Sequence, residues 1–272
     1  MPRNFLNIAY KSIYTFEVFL DTLRLWPIKF WISFYFLRDH LKKISIDGYE
    51  FWVRGDKFSS RLTDVYIILE SVFKKKYFSN LLDFGEEAIV IDVGAHIGAF
   101  TIYAAHKAKE GRVYAFEPSR ENYEVLQQNV LLNHLPNVSL FNLALAGKEQ
   151  ERILYLNDFN NGSHSFIKKA KKFVSVYCLA LREVLIQNQI SKCHFLKMDC
   201  EGAEYEILLN TPAEILKKID QIALEYHSPE FLGLADKEII NKLLAHLKAA
   251  DYQITVEKED YRRGYIYARR LK

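Results

Sequence analysis

Ala88-Ile89-Val90-Ile91 is apolar without any alternation. A strand built from such a run has to be covered on both faces, which requires layers on either side of a sheet. The segments that follow keep the same rhythm. A helix over residues 99–110 stops at Gly111. Arg112–Phe116 reads as a strand, and Ser119 is placed to cap a helix with Tyr123, Leu126 and Val130 on one face. Further strands are expected at Val138–Phe141, 194–198 and 222–226, with a helix over 204–209 between the last two. Residues 236–250 carry Ile239, Ile240, Leu243, Leu244 and Leu247 on one helical stripe. Strands at 252–256 and 265–268 then lie close enough to pair antiparallel. Strands alternating with helices predict an α/β fold: a mostly parallel, seven-stranded sheet with helices on both faces.

The first 84 residues read as a helical and hairpin extension to a main domain over 85–272. Residues 44–53 alternate around a turn, as a hairpin does, and 62–82 look helical, with Val65, Ile68, Leu69 and Val72 at helical spacing. Residues 13–41 are rich in large apolar side chains, but their longest uncharged run, 30–37, is far short of the ~20 residues of a spanning helix. A helical hairpin packed on the main domain or a partner is expected there, with contact to a membrane surface as the alternative. No cleavable signal peptide is evident, and three cysteines without metal or disulfide spacing suit a reducing compartment, so a cytoplasmic location is expected. A net charge of +3 with scattered basic runs does not point to nucleic acid. Residues 147–178 lack the strand–helix rhythm and read as hairpins or loops inserted beside a site.

In an open α/β sheet, ligands bind beyond the carboxyl ends of the strands, where the strand order reverses. The turn after the first core strand is Asp92-Val93-Gly94-Ala95-His96-Ile97-Gly98. Gly94 allows close approach of a ligand to the backbone, and Gly98 lets the next helix start tight against the strand. Glu117, ending the second strand, is placed to grip two ribose hydroxyls. The G-x-G-x-x-G of dinucleotide enzymes is absent, since His96 stands at the middle position and Gly98 falls one residue late. That disfavours an NAD-type oxidoreductase. An acid two residues before Gly94 suits a cationic ligand, with Asp92 drawing the ammonium of S-adenosylmethionine (SAM).

Several stretches together resemble the FkbM family of SAM-dependent methyltransferases. They are residues 90–98, Val-Tyr-Ala-Phe-Glu-Pro at 113–118, Lys197-Met198-Asp199-Cys200-Glu201-Gly202-Ala203-Glu204, and Ala223-Leu224-Glu225-Tyr226-His227. The family usually has asparagine where this chain has His96. The resemblance implies a class I methyltransferase (Rossmann-like) fold and methyl transfer to oxygen, with sugars and natural-product hydroxyls as typical acceptors. By position, Asp92, Gly94, Ala95, His96 and Gly98 would line the methionine end of SAM. Glu117 would hold the ribose, and Asn142 and Ala144 would lie beside the adenine.

SAM carries the reactive methyl, so the protein has to align an acceptor oxygen and help it lose a proton. The fourth and fifth strands end in Lys197, Asp199 and Glu201, then Glu225 and His227. Alternate strand residues share a face, which pairs Lys197 with Asp199 and Glu225 with His227. Two readings fit: Asp199 or His227 as general base, or a divalent cation held by Asp199, Glu225 and His227. Plainer roles also exist, with Lys197 and Asp199 as an internal ion pair and Glu201 and Glu204 in a first helical turn. Residues 161–165, Asn-Gly-Ser-His-Ser, are a polar loop of the type that covers sites, and His164 is a candidate contact. A non-catalytic binding module on a methyltransferase-like fold is the remaining alternative.

Overall fold

A computed structural model describes residues 40–55, 57–79, 82–157 and 160–271. The expectation for residues 13–41 therefore lies, apart from the last two of them, outside the described residues. Among those described, no helix is long and apolar enough to cross a membrane.

The central sheet has the order β11-β12-β10-β9-β3-β4-β5. Its strands are β3 (Ile89–Val93), β4 (Arg112–Phe116), β5 (Val138–Phe141), β9 (Phe195–Met198), β10 (Gln221–His227), β11 (Tyr252–Lys258) and β12 (Arg263–Arg270). β12 runs antiparallel to both of its neighbours, while β10-β9-β3-β4-β5 are parallel. This is the α/β sheet expected from the run of motifs. The lack of alternation at 88–91 has a direct cause, because successive residues feed different cores. Ile91, Leu196 and Leu224 pack on one face with Leu208, Leu243 and Leu247. Val90, Phe195 and Ala223 pack on the other with Phe100, Ala104 and Tyr267.

Helices α2 (Ala99–Lys107), α3 (Arg120–Leu132), α4 (Leu181–Gln187), α5 (Ala203–Leu209), α6 (Ala213–Leu216), α7 (Pro229–Leu232) and α8 (Ile239–Ala249) cover the sheet. Ser119 stands at the N-cap of α3 without a side-chain cap bond. Its backbone N–H instead donates to Glu117, 2.9 Å away, which turns the chain back toward the end of β4. The irregular stretch 147–178 supplies β7 (Gln150–Leu156) and nearly all of β8 (Lys172–Leu179), which join β6 (Ala144–Leu145) just ahead of it in a small sheet with β8 in the middle.

Ahead of the sheet, β1 (Leu41–Ile46) and β2 (Tyr49–Arg54) form the expected hairpin. Helix α1 (Phe58–Ile68) begins earlier than the apolar spacing suggests and passes into a π-helical turn, Leu69–Phe73, in place of one long helix. That extra residue per turn re-aims Glu70 and Ser71, and such turns recur at functional sites. The hairpin and α1 share one apolar cluster with Ile97, Ala99, Ile102 and Val125. Two asparagines of α3 serve the outer edge of β2 as a neighbouring strand would. The Asn129 amide accepts from Trp52 N at 2.6 Å and donates to Trp52 O at 3.1 Å. Asn133 repeats the pattern with Glu50 at 3.3 and 2.7 Å.

The order of strands reverses between β3 and β9, and the loops following them meet at that crevice. Gly94, at φ +77°, is where they touch: a Cβ there would lie 1.8 Å from the carbonyl oxygen of Asp199. Gly233 also has positive φ, +71°, but open space around it. Gly94→Ala is expected to cost well over the ~1–2 kcal/mol of a left-handed alanine, and Gly233→Ala to stay near that figure. Urea unfolding of both variants checks this; equal losses would mean that the Gly94–Asp199 approach is not tight.

Candidate active site

Two adjoining cavities open at the reversal point. The first, about 770 Å³ counting its mouth, is lined by the loop after β3 (Gly94, Ala95, His96), by Glu117 and Pro118, and by Ala144, Lys197, Asp199 and Glu201. The second, about 670 Å³, is lined by Tyr66, Glu70, Lys168, Glu225, His227, Phe231 and Arg263 among others. Ile67, Gly162, Asp199 and Glu201 border both. The polar loop 160–165 runs along them: Asn161 and His164 face the first cavity, Asn160 and Ser163 the second.

Not every residue of the first loop faces the cavity. Asp92 is fully buried and absent from the lining. One of its carboxylate oxygens accepts from Thr101 Oγ1 at 2.6 Å, and the other lies 3.1 Å from Lys197 Nζ. Lys197 in turn donates to the carbonyl of Gly94 at 2.8 Å. Burial opposes its charge, but Asp92 and Asp199 outweigh that and raise its pKa. Its ion pair is thus with Asp92, whereas the sequence suggested Asp199. Gly98 starts α2 against Leu126 and is likewise outside the lining. Asn142 is exposed and donates to the carbonyls of Glu117 and Pro118, bracing the end of β4 from outside. Ala144 does reach the cavity.

Glu117 is 5% exposed and accepts from the backbone N–H groups of His96 and Ser119, each at 2.9 Å, and from Asn122 at 3.3 Å. Burial raises its pKa, and these donors hold the rise in check. His96 and Glu201, one on each loop, both adopt positive φ, +52° and +51°. Non-glycine residues held in that region cluster at ligand sites.

The second cavity concentrates charge. Asp199 accepts from Tyr77 Oη at 2.8 Å. Glu225 accepts from Arg263 at 2.7 Å and Tyr265 at 3.0 Å. His227 sits 3.3 Å from Glu201 through Nε2 and 3.3 Å from Glu204 through Nδ1. Burial lowers its pKa, but Glu201, Glu204 and Glu225 outweigh burial and carry it to about 10. The pKa of Asp199 is raised as well, for a different reason: enclosure pushes its carboxyl above the usual range, and Lys197 and His227 limit the rise. Tyr77, Arg263, Tyr66 and Glu70 complete this network and were not singled out from the sequence. Pairing the two strands 222–226 and 265–268 would have revealed one of them, since Arg263 falls opposite His227 in that register.

Donor atoms of Asp199, Glu225 and His227 lie within 4.8 Å of one another. Their chemistry does not fit a divalent ion. Both ring nitrogens of His227 face carboxylates, an arrangement that favours a proton on each and leaves no lone pair for a metal, and Arg263 already supplies the positive charge beside Glu225.

Strand order, a cavity at the reversal and an acid at the end of β4 together define a class I methyltransferase. The chain belongs to the FkbM methyltransferase family: the Methyltransferase FkbM domain matches residues 92–254, more than half of its length. It is 25% identical over 184 residues to Methyltransferase 1 of Beauveria bassiana, covering 60% of this chain and 73% of that one. Identity to Methyltransferase sdnD of Sordaria araneosa is 26%, over 52% and 66% respectively. A 25% match to AMB antimetabolite synthetase AmbE of Pseudomonas aeruginosa covers 60% of this chain and spans only 9% of that protein. Among solved structures, M. jannaschii TYW2 in complex with AdoMet aligns over 87% of this chain and 89% of that one, at 17% identity and TM-score 0.48.

The charge on His227 has a consequence for stability. Its pKa of about 10 in the folded chain exceeds the ordinary 6.5, so the bound proton stabilises the fold. That contribution is complete below pH 6.5 and is lost as pH rises through about 10. The melting temperature of the wild-type protein should fall between pH 7 and 10.5, and that of His227→Gln should fall less. Parallel slopes would show the imidazole to be neutral.

Proposed function

We propose that the protein transfers a methyl group from SAM to a hydroxyl oxygen of a sugar or related polyol, with SAM in the first cavity and the acceptor in the second. The observation that carries this reading is the shared wall. Two carboxylates, Asp199 and Glu201, border both cavities; Glu201 is held against His227 Nε2 at 3.3 Å, so a methyl donor on one side and a hydroxyl on the other meet at Asp199. The acceptor O–H gives its proton to Asp199, its oxygen attacks the methyl carbon, and the carbon–sulfur bond breaks to leave S-adenosylhomocysteine. The raised pKa of Asp199 makes it a stronger base than an exposed carboxylate. His227 holds its proton to about pH 10 and is unsuited to be the base; it neutralises the carboxylates around it. Lys197 and Asp92 fix the loop that receives SAM. A direct contact from Asp92 to the ammonium gives way to a supporting role beneath the floor.

Several features favour a polyhydroxylated acceptor. The second cavity mixes hydrogen-bond donors and acceptors, including Ser163, Asn160, Thr63 and Glu70, with Phe231. Phe231 is 36% exposed and packs edge-on against the exposed Tyr261 at 6.4 Å. Lys168 Nζ stands over the Phe231 ring, 3.2 Å from its centroid, so the ring is flanked by an ammonium that can donate to an acceptor hydroxyl. The family match excludes the dehydrogenase alternative.

Asp199→Asn should lower kcat by about 10²–10⁴-fold while leaving the affinity for S-adenosylhomocysteine within a few-fold of wild type. A full-rate variant would remove Asp199 from the chemistry, and absence of homocysteine-compound binding by folded wild type would favour the binding module. With a glycoside acceptor, kcat/KM should rise on the acid side as Asp199 ionises, then stay level through pH 9. A rate still climbing toward pH 10 would make His227 the base. Activity should also survive a chelator; loss restored by added magnesium would return the metal reading.

A further inference from the structure

Charged side chains lining the second cavity are matched by partners, with one exception. Glu225 accepts from Arg263 and Tyr265, and Arg263 also meets Glu70 at 3.5 Å. His227 lies against Glu201 and Glu204. Arg262 is held by Asp260 through Nε at 3.1 Å, and Asp199 by Tyr77. Lys168 is the exception: among the described residues its ammonium has no ion pair and no hydrogen bond, and it stands over the Phe231 ring.

The backbone that carries this charge is fixed. Ser165, 1% exposed, accepts from the N–H groups of Ile167 at 3.1 Å and Lys168 at 3.4 Å, and donates to the carbonyl of Glu201 at 2.8 Å. One hydroxyl thus pins the turn holding Lys168 to the loop after β9, where Asp199 and Glu201 stand.

The missing partner is an anion. A hydroxyl would take one of the three N–H donors of the ammonium and leave its charge unanswered. Burial lowers the pKa of Lys168 and Arg262 adds to the fall, against Glu201 and Glu204; both of those carboxylates are already held by His227. Lys169 and Lys171, exposed on the same segment, extend the positive charge outward. A single compact ammonium suits a monoanion. A phosphate ester carries nearly two charges at neutral pH and would call for a second cation, whereas Arg262 and Arg263 are committed to carboxylates. A carboxylate remains.

We propose that the methyl acceptor is a sugar acid, such as a uronic acid residue, whose carboxylate binds Lys168 while its hydroxyl meets Asp199. The assignment rests on the second cavity being the acceptor site. It also implies discrimination, because a neutral glycoside leaves Lys168 unpaired.

Rates of methyl transfer from SAM to methyl uronides, the matching neutral methyl glycosides and sugar 6-phosphates test this in wild type, Lys168→Gln and Lys168→Arg. In wild type, kcat/KM for a uronide should exceed that for its neutral glycoside by about tenfold or more, the scale of a hydrogen bond between charged groups. Lys168→Gln keeps a donor but loses the charge, and should bring that ratio near one; Lys168→Arg should retain most of it. Affinity for S-adenosylhomocysteine, which reports on the first cavity, should stay within a few-fold in both variants. A ratio near one in wild type, a ratio unchanged in Lys168→Gln, or a 6-phosphate preferred to the uronide would overturn the carboxylate subsite and leave methyl transfer to sugars standing. Wild type that binds S-adenosylhomocysteine but methylates none of the three classes would overturn the sugar-hydroxyl reading and the subsite with it.

Discussion

Lys197 is 3% exposed, and the arrangement of the site depends on where its charge goes. Burying an ammonium unpaired is prohibitive, so a partner has to be buried with it. Asp92 on the neighbouring strand is that partner, and the register of β3 against β9, with Asp92 opposite Lys197, brings the two together. Once paired, the lysine has a donor left for the carbonyl of Gly94. One charge thus joins the two central strands and fixes the loop that crosses the reversal point. Removing it would leave Asp92 buried beside Thr101 alone, a loss felt by strand pairing and cofactor loop together.

The same balance extends into the second cavity on a larger scale. Glu70, Asp199, Glu201, Glu204 and Glu225 converge there, and His227 and Arg263 answer them. The imidazole is held as a cation by its surroundings, which takes it out of contention as a base; of the two carboxylates that border both cavities, Glu201 is paired with it and Asp199 is left for the chemistry. Role assignment at this site therefore follows from charge neighbourhood. Intrinsic pKa alone would have favoured the histidine.

Local pattern carried much of the fold. The apolar run at β3, the repeated strand–helix spacing and the adjacency of β11 and β12 were readable because each is a property of a short segment. Gly94 and Glu117 were also legible, since their places at strand ends follow from those segments. What escaped was set by contacts between distant parts of the chain. Asp92 looked available to a ligand until Lys197, more than a hundred residues later, was found beside it. The partners of the His96 ring, Arg54 and Asn161, likewise come from distant parts of the chain. The π-helical turn at Leu69–Phe73 has no apolar periodicity of its own to announce it. Ser119 makes no side-chain cap bond, and its backbone N–H serves Glu117 instead.

The two asparagine amides laid along β2 bear on how the molecule meets copies of itself. An exposed strand edge offers alternating N–H and C=O groups to any passing strand, the usual route to edge-to-edge polymerisation. At residues 50 and 52 those groups are already spent on Asn133 and Asn129. The β2 edge of the hairpin is thereby covered by asparagine side chains, and no extra strand is needed along it. Colloidal behaviour then falls to the remaining rims, above all β7 and β8, where Ile153, Phe173 and Tyr177 stand uncovered.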